Sequence, residues 1–93
     1  MEVRLLGIFQ HLSGKKRFQL KIAKPTTVRL VVTKLTEMFS GEFKQALIDS
    51  QFGDPRLNAL ILVSGKEIGA LQGLETEVKD DDELVLIPRV HGG

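Results

Sequence analysis

The sequence predicts an α+β domain, a mixed sheet of four to five strands packed on one main helix. Three observations predict it. RFQLKI (17–22) alternates strictly, with Phe18, Leu20 and Ile22 on one face and Arg17, Gln19 and Lys21 on the other, as a half-buried strand does. From Val28 the apolar spacing changes to steps of three and four, through Val31, Val32, Leu35, Met38 and Phe39, which is helical. The first and last apolar segments, EVRLLGIF (2–9) and ELVLIP (83–88), are apolar on both parities and therefore belong in the middle of the sheet.

The elements follow in order. EVRLLGIF is a first strand, HLSGKK a turn, and RFQLKI its hairpin partner at a sheet edge. Lys15, Lys16 and Arg17 are the only basic run, and without a glycine-rich lead-in they form a charged hairpin tip, not a phosphate cradle. Pro25 and Thr26 break the strand, Thr27 caps the helix, and Ser40 and Gly41 close it. Its β-branched residues are weak helix formers, so the helix must be held by packing on the sheet. A second short helix is expected over 42–50, with Phe43, Leu47 and Ile48 turned inward, and FGDPRLN is then a loop. ALILV is a strand, SGK a tight turn, KEI a short partner strand, and 69–83 an irregular stretch. Asp80, Asp81 and Asp82 shape a solvated turn, since three consecutive carboxylates cannot all face one cation. A crossover through the helix would set the first and last strands side by side and parallel. This order is the β-grasp arrangement.

Composition excludes several functions. At 93 residues the chain holds one domain, and a net charge of +1 favours neither nucleic acid nor an anionic membrane surface. The absence of cysteine rules out disulfides, thiolate metal sites and a cysteine nucleophile; His11 and His91 have no spacing that suggests a metal site. MEVRLLGIF has no basic leader or long apolar run, so no secretory signal is expected, and a cytoplasmic protein is.

Two features point to function. If helices cover one face of the sheet, the second apolar parity lacks an internal cover. Leu6, Ile8, Val85 and Ile87, with one of the pairs Leu60/Leu62 or Ile61/Val63, are then a partner-docking surface, the alternatives being that the loop over 69–79 folds across them or that the protein dimerises through them. This assignment holds if no bulge intervenes, and Gly7 is where one would fall. The second feature is PRVHGG. Six extended residues reach about 20 Å, so the chain divides into a domain over 1–87 and a flexible tail over 88–93. Gly92 and Gly93 lack Cβ atoms and would thread a narrow channel.

The stretch NALILVSGKEIGALQGLETEVKDDDELVLIPRVHGG (58–93) resembles the ubiquitin-like proteins of the MoaD/ThiS superfamily, most nearly the ubiquitin-related modifier and the archaeal small modifier proteins. The matching signals are the strand and turn at LILVSGKEI, the acidic turn before LVLIP, and the closing Gly-Gly; the first hairpin and helix agree. The resemblance implies a protein that is not itself an enzyme. An activating enzyme of the ubiquitin-activating type would adenylate Gly93, with Gly92 beside it in the channel and Arg89, Val90 and His91 recognised along the tail. ATP would be used by that enzyme, with no cofactor bound here. A sulfur donor protein would then convert the terminus to a thiocarboxylate, for tRNA thiolation, or protein lysines would receive it as an isopeptide. The resemblance leaves open the small subunit of molybdopterin synthase, and the residues alone leave open a binding module with an inert tail. His91 is larger than the Ala, Ser or Thr common in molybdopterin-synthase subunits, DDDE stands where many sulfur carriers have Asp-Gly-Asp, and the insert over 42–57 is longer than in the smallest carriers.

Overall fold

The structure, a computed structural model, describes residues 1–22 and 24–89. Its main sheet has five strands. β1 (Glu2–Leu5) and β7 (Glu83–Pro88) run parallel at the centre, in the register Val3–Leu84 and Leu5–Leu86. β2 (Arg17–Gln19) is antiparallel to β1 at one edge. β4 (Ala59–Val63) is antiparallel to β7 on the other side and carries the short edge strand β5 (Lys66–Glu67). The order across the sheet is thus β2-β1-β7-β4-β5. A separate two-stranded ladder joins β3 (Thr26–Thr27) to β6 (Glu77–Val78).

One face of the main sheet is the core. Val3, Leu5, Ala59, Ile61, Val63, Leu84 and Leu86 are buried there against Val28, Val31, Val32 and Leu35 of α2 (Val28–Met38). Thr27 caps α2 as expected, its hydroxyl accepting from the Leu30 amide. The helix stops earlier than the sequence suggested. Phe39 is already extended, and Ser40 instead caps the next helix, α3 (Gly41–Leu47), through the Phe43 amide. Met38, expected inward, is 44% exposed, because the packed stripe ends at Leu35 and Phe39 turns in beside it.

The largest departure is at 7–13. The sequence suggested that the first strand continues through Ile8, but the chain turns at Gly7 into a helix, α1 (Gly7–Ser13). Gly7 has φ +54°, a left-handed conformation that ends a strand and that side chains resist. Beyond the end of the strand, aromatic packing holds this segment in place. Phe9 of α1 meets Phe43 of α3 edge-on at 6.0 Å, Phe43 meets Phe39 at 4.9 Å, and Phe39 meets Phe18 of β2 at 5.8 Å. Such pairs contribute roughly 0.5–1.5 kcal/mol each beyond area burial. This aromatic line fastens both short helices and the edge strand to one core.

The turns are tied by backbone and hydroxyl groups. Ser64 and Gly65 both take positive φ, the twist that joins two antiparallel strands through two residues. The Ser64 hydroxyl donates to Asp82 Oδ1 at 2.8 Å, and Asp82 Oδ2 accepts from the Lys79 amide. Asp80 accepts from the Met1 ammonium at 3.0 Å. The acidic run is thus turn architecture, and among the described residues no group of three His, Cys, Asp or Glu is arranged to hold a metal.

Gly7 also lies against the end of β7, where an added Cβ would sit 2.8 Å from Pro88 Cγ. Gly7→Ala is expected to cost about 2–3 kcal/mol, read as a lower urea midpoint with an unchanged slope. Gly14→Ala, at positive φ but with open space around it, should cost less.

Candidate functional site

The site is built from the carboxyl end of β7 and the sheet face beside it. The strand spans ELVLIP as expected, and its last residue, Pro88, pairs with Ala59. Arg89 is held too. Its amide donates to the Asn58 carbonyl at 2.9 Å, and its Nε donates to the Arg56 carbonyl at 2.9 Å. Both acceptors belong to a single 3-10 turn, Pro55–Leu57, and the residue after it. The other sequence-designated tail residues, Val90, His91, Gly92 and Gly93, lie outside the described residues.

The turn at 55–57 is firmly made. Asp54 caps it, Oδ1 accepting from the Arg56 amide at 2.8 Å, and its carboxylate also binds the Arg56 guanidinium in two places, Nε at 3.0 Å and Nη2 at 2.6 Å. Pro55 occupies the first position, where a missing amide costs nothing. Asn58 Nδ2 donates to the Leu47 carbonyl and so ties the turn to α3. The side-chain hydrogen bond from Arg56 holds the Asp54 carboxyl below its ordinary 3.8, against the opposing effect of burial; the same bond raises Arg56. FGDPRLN, expected as a plain loop, thus holds a 3-10 turn, for which Asp-Pro at 54–55 is a readable start signal.

The outer face of the sheet is graded from apolar to charged. Leu60 pairs with Ile87, and Leu6 lies one step past the Leu5–Leu86 pair, its amide donating to the Leu86 carbonyl. These three half-buried residues form an apolar row next to Pro88. The next row is Arg17, Arg4, Val85 and Leu62, and the far row is Gln19, Glu2 and Glu83. Glu2 and Arg17 pair at 3.0 Å. None of the outer residues belongs to the main core cluster. The stretch 69–79, which could have lain over this face, goes to the other side: Leu74 and Val78 are in the core, and Glu75 binds Arg29 of α2 at 2.7 Å.

Two of the four docking residues expected from the sequence need correction. Ile8 is 46% exposed but sits on α1, not on the sheet, because the strand ends before Gly7. Val85 is on the outer face, in register with Arg4 and Leu62 on the flanking strands, yet only 6% exposed, so it offers a partner little surface. Leu6 and Ile87 stand where expected, and of the two β4 pairs left open it is Leu60 and Leu62 that face outward.

The sequence profile of the ThiS family matches residues 3–93. Small archaeal modifier protein 3 of Haloferax volcanii is 27% identical over 93 residues, covering all of this chain and 98% of the relative. The solution structure of small archaeal modifier protein 1 from Methanosarcina acetivorans superposes with a TM-score of 0.79 at 28% identity, covering 99% of this chain and 94% of that one. A chain of the Amycolatopsis orientalis BexX/CysO complex superposes with a TM-score of 0.73 at 27% identity, covering 99% and 98%.

A depressed carboxyl pKa contributes stability that is complete above the ordinary value and is lost as pH falls through the lowered one. Asp54→Ala should therefore cost about 0.5–2 kcal/mol near neutral pH. The gap between wild type and variant should close in acid, below the ordinary 3.8 of Asp54. Urea titrations at neutral and strongly acidic pH would show it.

Proposed function

The chain belongs to the ThiS family, and from that premise we propose that it is a ubiquitin-like modifier and sulfur carrier of the cytoplasm, worked by its carboxyl end and not itself a catalyst. The observation that carries this reading is the placement of β7. A strand held on both sides, between β1 and β4, ends beside an apolar row of Leu6, Leu60 and Ile87, and Gly92 and Gly93 follow it closely in the sequence. A rigid strand followed by a narrow, side-chain-free tip suits presentation to another protein's active site.

The chemistry requires activation, since a carboxylate is a poor electrophile. The Gly93 carboxylate attacks the α-phosphorus of ATP on an adenylating enzyme, and pyrophosphate leaves. A persulfide on a sulfur donor protein then displaces AMP to give an acyl disulfide. A second thiol cleaves it, leaving the thiocarboxylate on Gly93 and a disulfide on the donor. Alternatively a lysine amine displaces AMP and loses a proton, forming an isopeptide bond. The thiocarboxylate would serve tRNA thiolation, and the isopeptide would tag proteins. The similarity to a chain from a two-protein complex supports docking on a partner protein. On this chain the surface is the Leu6, Leu60 and Ile87 row.

Three experiments test the reading. Deleting Gly93 should abolish ATP–pyrophosphate exchange with the activating enzyme and leave the urea midpoint unchanged; exchange that survives would defeat the mechanism. Trypsin cleaves after Arg89, so conjugated lysines should carry a Val-His-Gly-Gly remnant, and the free sulfur carrier should show one oxygen exchanged for sulfur in its intact mass. Neither product in native cells would leave only a binding module. Leu60→Asp with Ile87→Asp should raise the KM for activation at least about tenfold by placing charge in the docking row.

A further inference from the structure

We infer that Arg89 is the anchor from which the carboxyl-terminal arm starts, and that the 54–58 turn is the clamp that holds it. Arg89 is exposed, yet both its amide and its Nε are committed, to carbonyls two residues apart on one turn. Those carbonyls are fixed independently of Arg89. Asp54 caps the turn, the Asp49 amide donates to the Asp54 carbonyl at 3.2 Å, the Asn58 amide donates to that of Pro55 at 3.1 Å, and Asn58 Nδ2 reaches Leu47. The Asp54 carboxylate also neutralises Arg56, which removes most of the like-charge penalty of laying Arg89 against it.

The consequence is one of reach and direction. A six-residue arm leaving at Pro88 spans about 20 Å, whereas the four residues after Arg89 span about 13–14 Å. The arm's origin is fixed beside the Ile87–Leu60 row, so a partner seated on that row finds the start of the arm at a set offset. Ordering cost that a partner would otherwise bear is met in the free protein. Arg89 is thus a positioning residue. Its use rests on the modifier reading; the clamp itself does not.

The test uses the full chain and two readouts. Arg89→Lys keeps the charge and the trypsin site but lacks the Nε–H placed on Arg56. Asp54→Ala loosens the turn without touching Arg89. Trypsin cleavage at position 89 is measured in the native protein and normalised to a synthetic peptide of residues 84–93 carrying the same residue 89. The wild-type bond should be protected on the order of a hundredfold, and both variants should lose protection several-fold, on the order of fivefold for one hydrogen bond. Cleavage of the wild type at the peptide rate, or undiminished protection in both variants, would overturn the clamp. ATP–pyrophosphate exchange with the activating enzyme supplies the second readout. Arg89→Lys and Asp54→Ala should raise KM by a similar factor with kcat unchanged. Unchanged KM in both, with protection lost, would overturn the positioning role while the clamp stands. If wild type supports no exchange at all, the modifier reading falls and the positioning role with it, and the clamp is judged by trypsin alone.

Discussion

The parallel pairing of β1 with β7 is the constraint on which the rest of the molecule depends. Parallel neighbours cannot be joined by a tight turn, so the residues between them must cross over, and here they supply the helices, β4 and β5. With β1 and β7 at the centre, each has a partner on both sides, and the core-facing residues Val3, Leu5, Leu84 and Leu86 are sealed beneath the helices. The opposite parity of the same strands then faces away from every core residue. One pairing therefore produces both the buried core and the outer row, and it aims the carboxyl end of β7 past that row.

The fold was legible where period and capping agreed. The alternation at Phe18 and Leu20, the switch of period at Val28, the cap at Thr27 and the two-parity apolarity of ELVLIP all reported local chemistry that tertiary contacts then used. Legibility failed at 7–13, where GIFQHLS carries apolar residues at Ile8, Phe9 and Leu12 that suit either a strand or a short helix. The decision there is made by Gly7 and its packing on Pro88, a contact between residues 81 positions apart that no local pattern encodes. The same limit applies to Val85, whose parity was readable but whose place between Arg4 and Leu62 depends on register.

The candidate site divides along similar lines. The Gly-Gly segment is visible as a motif, and the outer row as a parity argument. The clamp at 54–58 is neither, because its acceptors are backbone carbonyls that carry no side-chain signature. Its builders are visible only one by one: Asp54 as a cap, Pro55 as a first helical residue, Asn58 as a loop residue. The carbonyls of Arg56 and Asn58, at the end of the insert over 42–57 and just past it, meet Arg89 directly after β7.

The two-sided pairing of β7 has a mechanical consequence. A protein attached through its carboxyl end and pulled from there is loaded along β7, parallel to the strand. The ladders to β1 and to β4 run alongside that axis, so their hydrogen bonds bear the load in shear, together, and are not peeled apart one after another. Forced unfolding is governed by the barrier to leaving the native state, and a strand gripped along both edges raises that barrier for this direction of pull. The short edge strands β2 and β5, by contrast, would peel readily. Of the strands in the sheet, the one that would carry such a pull is held along both of its edges.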